Sequence, residues 1–164
     1  MGCKWSEVQI LSPRPYFKPI LEIDMTSTHS SPTSIPSVDY FGLDIPFLAH
    51  LGVVPEYAKE GKALISLDLK PEHLNSFQVA QGGVIMAILD FAMSAAARST
   101  FNHPLGATTV DMTTSFLRPS RGKLMVEGKV LKSGKSIQYC EAVVINAAGE
   151  ITAKSSGSFM LRAK

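Results

Sequence analysis

The sequence has little of what marks a secreted, metal-binding or nucleic-acid-binding protein. Its two cysteines, Cys3 and Cys140, form no C-x-x-C motif and no disulfide framework, so a reducing compartment, the cytoplasm, is expected. The four histidines show no ligand spacing with each other or with cysteine, so we expect neither a metal nor another cofactor. With a net charge of +2 and no run of Lys or Arg, the chain is not expected to bind nucleic acid.

Long apolar runs and several enzyme motifs are also missing. The longest apolar run, residues 84–97, is interrupted by Asp90 and Ser94 and is too short to span a bilayer, so no membrane partner is expected. The G-x-S-x-G motif of serine hydrolases is absent. Gly134-Lys135-Ser136 resembles the end of a P-loop, but Lys129 stands where that motif needs its first glycine. The 164 residues, 45% hydrophobic and 18% charged, fit one ordinary globular domain.

The first residues differ from the rest of the chain. Prolines interrupt residues 1–24 and exclude a signal peptide. The first six residues fit an N-myristoylation pattern, but residues 6–15 resemble the translated 3′ end of a transfer-RNA gene. We therefore expect 1–24 to be a non-native or disordered extension and Met25 to be the true start. A flexible leader over 25–44 and one domain over 45–164 are expected to follow.

Periodicity along the remaining chain predicts one strand, one long helix and then four consecutive strands. The helix begins at Gly82 and runs to about Thr100, and because its faces are apolar all round it is expected to be enclosed. The other predicted elements are a short helix over 46–51, a strand over 63–69, a loop over 72–81, and strands over 110–117, 124–131, 137–145 and 151–161. Short turns between the last four strands predict an antiparallel meander. The predicted fold class is therefore α+β, an antiparallel sheet wrapped around one long central helix.

Two positions on the long helix suggest hydrolysis. Gly82, at the helix N-terminus, offers an unpaired backbone N–H with the helix dipole behind it, which suits an oxyanion. Taken alone, the glycine pair is explained better by a tight turn into the helix. Asp90 lies in an otherwise apolar helix, where burial would raise its basicity and suit it to activate water or attack a carbonyl. Taken alone, Asp90 is explained equally well as a buried aspartate whose hydrogen bonds are satisfied by its neighbours.

These residues belong to a longer pattern that resembles a known family. The pattern is Asn75-x5-Gln81-Gly82-Gly83-x6-Asp90, followed by Thr109-Val-Asp-Met112 and Phe116-Leu-Arg-Pro119. It resembles the phenylacetyl-CoA thioesterase-like branch of the hotdog-fold thioesterases, over about residues 45–162. The resemblance implies a hotdog fold and cofactor-free hydrolysis of an acyl-CoA substrate. This sequence departs from the family at Gln81, where histidine is usual.

A site that uses both Gly82 and Asp90 requires two subunits. Eight residues of helix separate the two positions by about 12 Å, at 1.5 Å per residue. That is too far for both to contact one reacting carbon. If they cooperate, Gly82 of one chain faces Asp90 of another across a two-fold axis. The resemblance agrees with this arrangement and implies a homodimer, with two dimers forming a tetramer.

The resemblance also implies a role for each residue of the pattern. Asp90 would be the general base or the nucleophile, and Gly82 would polarise the thioester carbonyl. Thr109, from the Asp90 subunit, would position the attacking water, and Asn75 and Gln81, from the Gly82 subunit, would orient the substrate.

Three further residues are assigned to substrate binding. Gly83 lies beside Gly82, and the basic residues Arg118 and Lys135 are placed at the CoA phosphates, although isolated charges are often only solvated.

Two other functions stay open on the sequence. The first is a non-catalytic acyl-CoA-binding or sensing protein on the same fold, which the glutamine at position 81 favours. Asp90 argues against it, because binding alone has no use for a buried carboxylate. The second is an acyl hydratase or dehydratase, which would need a histidine paired with a carboxylate that the sequence does not supply.

Overall fold

The computed structural model describes residues 37–101 and 105–163. The expected extension 1–24 and most of the expected leader lie outside these residues. The elements are α1 (Pro46–Leu51), β1 (Val54–Lys59), β2 (Lys62–Asp68), a 3-10 helix (Pro71–His73), α2 (Gly82–Arg98), β3 (Leu105–Phe116), β4 (Lys123–Ser133), β5 (Ile137–Asn146) and β6 (Ile151–Ala163). Strand β1 was not predicted.

The strands form one antiparallel sheet in the order β1-β2-β4-β5-β6-β3. The prediction of a four-stranded meander is therefore correct for β4, β5 and β6 but wrong for β3. Strand β3 pairs with β6 at the far edge of the sheet, and residues 117–122 cross back to β4. The backbone N–H groups of Leu117 and Arg118 both donate to the Thr152 carbonyl, which turns this crossing segment away from a hairpin with β4.

Helix α2 lies across the sheet and packs against all six strands. Its core-facing side chains include Ile85, Ile88, Leu89 and Met93, each at most 2% exposed. The helix backbone approaches β4 closely at Gly128, where an added Cβ would collide with the Ala92 carbonyl. One antiparallel sheet wrapped around one central helix is the predicted hotdog architecture, and this prediction is confirmed.

The expectation that α2 is enclosed on all sides needs a correction. Gly83 and Met86 are exposed, and Ala87, Asp90 and Ser94 are only partly buried. Each of these five positions lies three or four residues from another of them, so together they form one stripe along the helix. We call these five residues the open stripe. Six strands cover the other faces of α2 and leave this one uncovered.

The segment ahead of α1 also packs on the core. Tyr40 is fully buried, donates from its hydroxyl to the Val53 carbonyl (3.0 Å), and meets the Phe91 ring edge to face. Arg98, at the last turn of α2, donates to the Phe41 carbonyl (3.0 Å). Packed structure therefore begins ahead of residue 45.

Within the described ranges, no helix is long and apolar enough to cross a membrane.

Substituting Gly128 by alanine should destabilise the fold. The new Cβ would have to push α2 away from β4, since the atoms it meets belong to backbone. We expect a loss of roughly 1–3 kcal/mol in the free energy of unfolding, measured by denaturant titration. Gly106→Ala is the matched control in β3, because an added Cβ there meets its nearest atom, the Arg162 carbonyl oxygen, at 3.9 Å. Equal stability of the two variants would contradict this account of helix packing.

Candidate active site

Asp90 lies on the open stripe and faces an apolar cavity between α1 and α2. This cavity, of about 290 Å³, is here called the Asp90 cavity. Most of its lining is apolar, including Ile45, Phe47, Leu48 and Phe91, and the polar residues Ser94 and Arg98 line it as well. Burial raises the pKa of the Asp90 carboxyl, and a hydrogen bond from Thr109 opposes that rise. A carboxylate held in this setting is more basic than one in water, as a general base requires.

Thr109 is aimed at Asp90 by an irregularity in β3. Its Oγ1 donates to Asp90 Oδ1 at 2.7 Å. The pairing of β3 with β6 shifts register between Thr109 and Asp111, so Val110 is an extra residue in the strand. Before the shift, Thr109 pairs with the fully buried Phe159; after it, Met112 pairs with the buried Gly157. The β-bulge thus brings Thr109 onto the helix side of the sheet.

Gly157 provides the room that this bulge needs. A Cβ added at Gly157 would lie 2.5 Å from the Asp111 carbonyl oxygen. A side chain there would push the bulged strand away and disturb the position of Thr109. The sequence analysis did not identify Val110 or Gly157, and no signal in either residue type marks such a shift.

The N-terminus of α2 presents the Gly82 N–H. Gln81 is the N-cap residue, and its Oε1 accepts from the Gly83 N–H. Its carbonyl accepts from Val84 and Ile85. Among the described residues, none accepts from the Gly82 N–H. This N–H is therefore an available donor at the positive end of the helix dipole.

A second cavity, the Gly82 cavity, opens beside this donor and has a volume of about 420 Å³. Asn75, Phe116 and Arg118 line it together with Gly82. Asn75 Oδ1 accepts from the N–H groups of Phe77 (2.9 Å) and Val79, so this side chain orders its own loop. The Phe116 ring packs over Gly82, with its edge about 3.5 Å from where a Cβ would stand. Phe116 is a wall residue of this cavity to which the sequence analysis assigned no role.

The structure brings the predicted residues together in two groups. Asp90 and Thr109 form one group, while Asn75, Gln81, Gly82, Gly83 and Arg118 lie around the N-terminus of α2. Arg118 is half exposed and is directed at the Ile151 carbonyl (3.3 Å) and Glu150. Lys135 is exposed on the turn between β4 and β5, away from both cavities.

Comparison with known proteins agrees with this fold. The thioesterase superfamily profile matches residues 77–153, which include Gly82, Asp90 and Thr109. A protein of Thermoplasma volcanium named as an esterase is 33% identical over 122 residues, 74% of this chain and 90% of the relative.

Two solved structures share the fold. The PaaI protein of the phenylacetic acid degradation operon of E. coli has a TM-score of 0.66 at 24% identity, covering 72% of this chain and 84% of PaaI. A Streptococcus mutans protein bound to acetyl CoA has a TM-score of 0.63 at 19% identity, covering 68% of this chain and 90% of that protein. The profile match and the sequence relative together show that this chain belongs to the thioesterase superfamily.

Proposed function

We propose that this protein is a cytoplasmic acyl-CoA thioesterase that hydrolyses its substrate to a free acid and CoA at a site shared by two copies of the chain. The observation that carries the proposal is the Asp90 carboxylate, held by Thr109 at the wall of an apolar cavity with its pKa raised. Because its pKa is raised despite the hydrogen bond from Thr109, the ionised carboxylate costs stability on balance, which is typical of a residue kept for chemistry.

The chemistry follows from the two groups. Asp90 either takes a proton from water that attacks the thioester carbon or attacks that carbon itself. In both cases the carbonyl oxygen becomes an oxyanion, and the Gly82 N–H with its helix dipole stabilises it. The carbon–sulfur bond then breaks, and the CoA sulfur leaves as a thiolate that takes up a proton. If Asp90 is the nucleophile, the acyl group is left on Asp90 as an anhydride, and water then hydrolyses it to the free acid and restores the carboxylate. Thr109 holds the carboxylate, and the Asp90 cavity receives the acyl group.

The edge position of β3 supports a site built from two chains. One edge of β3 has no partner strand within the described ranges, because β3 lies at the end of the sheet. Suppose that β3 pairs antiparallel with its own copy about a two-fold axis near the middle of the strand. Thr109 and Phe116 both face the helix side, because they pair with the buried Phe159 and Ala153 of β6. The axis then places the Thr109 end of one strand beside the Phe116 end of the partner strand. Asp90 of one chain thereby approaches Gly82 of the other.

The remaining residues complete the proposed site. Asn75 retains its amide N–H groups toward the Gly82 cavity, and Gln81 retains its own, because each uses its side-chain oxygen on the backbone. Gly83 leaves space for the Gln81 cap, since a Cβ there would lie 3.1 Å from Oε1.

The CoA phosphates are assigned to Arg118 and Lys135. Arg118 lines the Gly82 cavity, and Lys135 lies on the β4–β5 turn at the Thr109 end of the sheet, the end that the two-fold axis would place beside the partner's Gly82 cavity. The acetyl CoA bound to the Streptococcus mutans protein of the same fold supports a CoA ester as substrate. We propose a homodimer that pairs further into a tetramer.

One observation favours a second function, a non-catalytic acyl-CoA-binding protein. Gln81 turns its side chain back onto the Gly83 N–H and cannot titrate near neutral pH, so it offers no acid or base at the carbonyl. A binding protein of this kind would bind acyl-CoA without releasing a thiol.

Asp90→Asn should abolish most of the turnover. The amide keeps the size of the carboxylate and accepts from Thr109, but it is neither a base nor a nucleophile. We expect kcat for acyl-CoA to fall by roughly 10² or more, with KM changed little, in a thiol-release assay. Ser94→Ala, on the same stripe and in the same cavity, is the control and should keep its kcat within about twofold.

The same variant should be at least as stable as the wild type. Because the folded pKa of Asp90 is raised above its ordinary 3.8, the ionised carboxylate costs stability above that folded pKa. The cost disappears as the pH falls to 3.8, and Asn removes it at every pH. Unchanged turnover in Asp90→Asn would exclude the proposed role and leave the binding function.

Gly82→Pro tests the proposed donor. Proline lacks the N–H, suits the first position of a helix, and follows a Gln81 backbone (φ −63°, ψ 136°) that a proline accepts. We expect kcat to fall by roughly 10² or more with the helix content unchanged by circular dichroism. Gly82→Ala is the control, because its Cβ only makes ordinary contact with Phe116 and its N–H remains. If alanine and proline reduce kcat equally, the N–H is not the donor.

A further inference from the structure

His73 is buried in the segment that leads into α2 and takes no part in the proposed chemistry. It ends the 3-10 helix and its side chain is 1% exposed. Its N–H donates to the Lys70 carbonyl (2.9 Å), and its carbonyl accepts from the Gln81 N–H (2.8 Å). Its ring Nδ1 accepts from the Lys70 N–H (3.1 Å). His73 thus joins both ends of the segment 70–81 and fixes the backbone one residue before Gly82.

Between those two ends the segment is held by its own hydrogen bonds and by two contacts with the crossing segment after β3: the Ala80 N–H donates to the Ser120 carbonyl (3.0 Å), and Arg121 donates to the Gln78 carbonyl. Leu74 and Ala80 form an isolated antiparallel bridge, and the Asn75 N–H donates to the Val79 carbonyl (2.8 Å). Asn75 therefore depends on the same frame as Gln81. A shift of His73 would move both of them and the start of α2.

The bond to Nδ1 requires a neutral imidazole. A nitrogen that accepts a hydrogen bond carries no proton, so the proton of the neutral ring is on Nε2. Nε2 is buried and has no hydrogen-bond partner in the described part of the chain. An asparagine side-chain oxygen would supply the same acceptor, although its amide N–H groups would be buried donors in the same way. The hydrogen bond from the Lys70 N–H to Nδ1 alone therefore does not explain why residue 73 is a histidine.

Protonation would oppose this arrangement, because it removes the acceptor and places a charge in the core. Burial lowers the pKa of His73 below 6.5. Of the charged or titratable groups around it, Glu72 raises the pKa, while Lys70 and His50 lower it. Since the folded pKa lies below the unfolded one, the segment has its full stability above pH 6.5. It loses stability as the pH falls from 6.5 toward the lowered pKa.

We propose that neutral His73 is a positioning residue for the reaction: through Lys70 and Gln81 it holds the Gly82 N–H and Asn75 in place, and protonation of His73 releases them. The inference rests on the proposed function, because Gly82 and Asn75 matter only if they meet the substrate. It adds a second proton-dependent step to the loss of activity in acid, beside the titration of Asp90.

Two variants separate the acceptor from the packing. His73→Asn keeps an oxygen close to the position of Nδ1 and does not titrate, whereas His73→Leu fills the space and removes the acceptor. His50→Asn, at an exposed histidine nearby, is the control. Hydrogen–deuterium exchange of the peptide covering residues 74–81 is measured without substrate at pH 8 and pH 5.5. Values of kcat and KM are measured with the best substrate of an acyl-CoA panel.

We expect His73→Leu to lower kcat roughly tenfold to a hundredfold at pH 8, with KM within about twofold and faster exchange in 74–81. His73→Asn should keep kcat within about twofold of wild type at pH 8. At pH 5.5 the wild type should lose protection in 74–81 relative to His73→Asn, and His50→Asn should follow the wild type.

Two results would overturn the inference. One is a His73→Asn variant as impaired as His73→Leu at pH 8, which would mean that the aromatic ring matters and the acceptor does not. The other is the same acid dependence of exchange in wild type and His73→Asn. If the wild type hydrolyses no acyl-CoA, the proposed function fails by itself, and the exchange measurement still decides whether neutral His73 holds the segment.

Discussion

The packing of α2 against one face of the sheet is the contact on which the rest of the structure depends. Nine residues of this helix between Ile85 and Ala97 are buried, and Gly128 allows the helix backbone to touch β4. A helix so deeply enclosed has only the open stripe left for a polar side chain, and Asp90 lies on it. The position of the carboxylate and its raised pKa are thus consequences of the same burial that stabilises the domain.

The same packing separates the two halves of the proposed chemistry. The N-terminus of α2 carries a donor, and its middle carries a base, so one helix cannot bring both to one carbon. Strand β3 runs alongside α2: its Thr109 contacts Asp90 in the middle of the helix, and its Phe116 packs over Gly82 at the helix N-terminus. An antiparallel copy of that strand reverses this order. In the proposed two-fold site, pairing through the free edge of β3 therefore brings together two groups that one helix keeps too far apart.

Much of this could be predicted from the sequence, and the failures have physical reasons. Long α2 and strands β2, β4, β5 and β6 follow from strong apolar periodicity. Strand β1 was missed because Pro55 lies near its start and its residues are mostly exposed, so it has neither an apolar alternation nor a clear boundary. The pairing of β3 with β6 was missed because the choice between sheet neighbours depends on long-range packing around α2, which short turns do not reveal.

The candidate site was also predicted only in part, because some of its contacts depend on long-range packing. Asp90, Thr109 and Gly82 stand in the motif, and the structure places Thr109 against Asp90. The bulge at Val110, which turns Thr109 toward the helix, reverses the simple alternation of strand residues and has no local signal. His73 was read as part of a loop without a period, yet its hydrogen bonds define where α2 begins. Contacts between a backbone and a buried side chain are not visible in sequence spacing.

The shared site is tested most directly by combining two inactive chains in one dimer. Asp90→Asn and Gly82→Pro subunits carrying different affinity tags are co-expressed, and the mixed dimer is purified through both tags. A site built across two chains then has one intact pair, Gly82 from the first subunit and Asp90 from the second, and one pair with both changes. The account predicts about half of the wild-type kcat per dimer, far above either variant alone. A mixed dimer as inactive as its parents would contradict it.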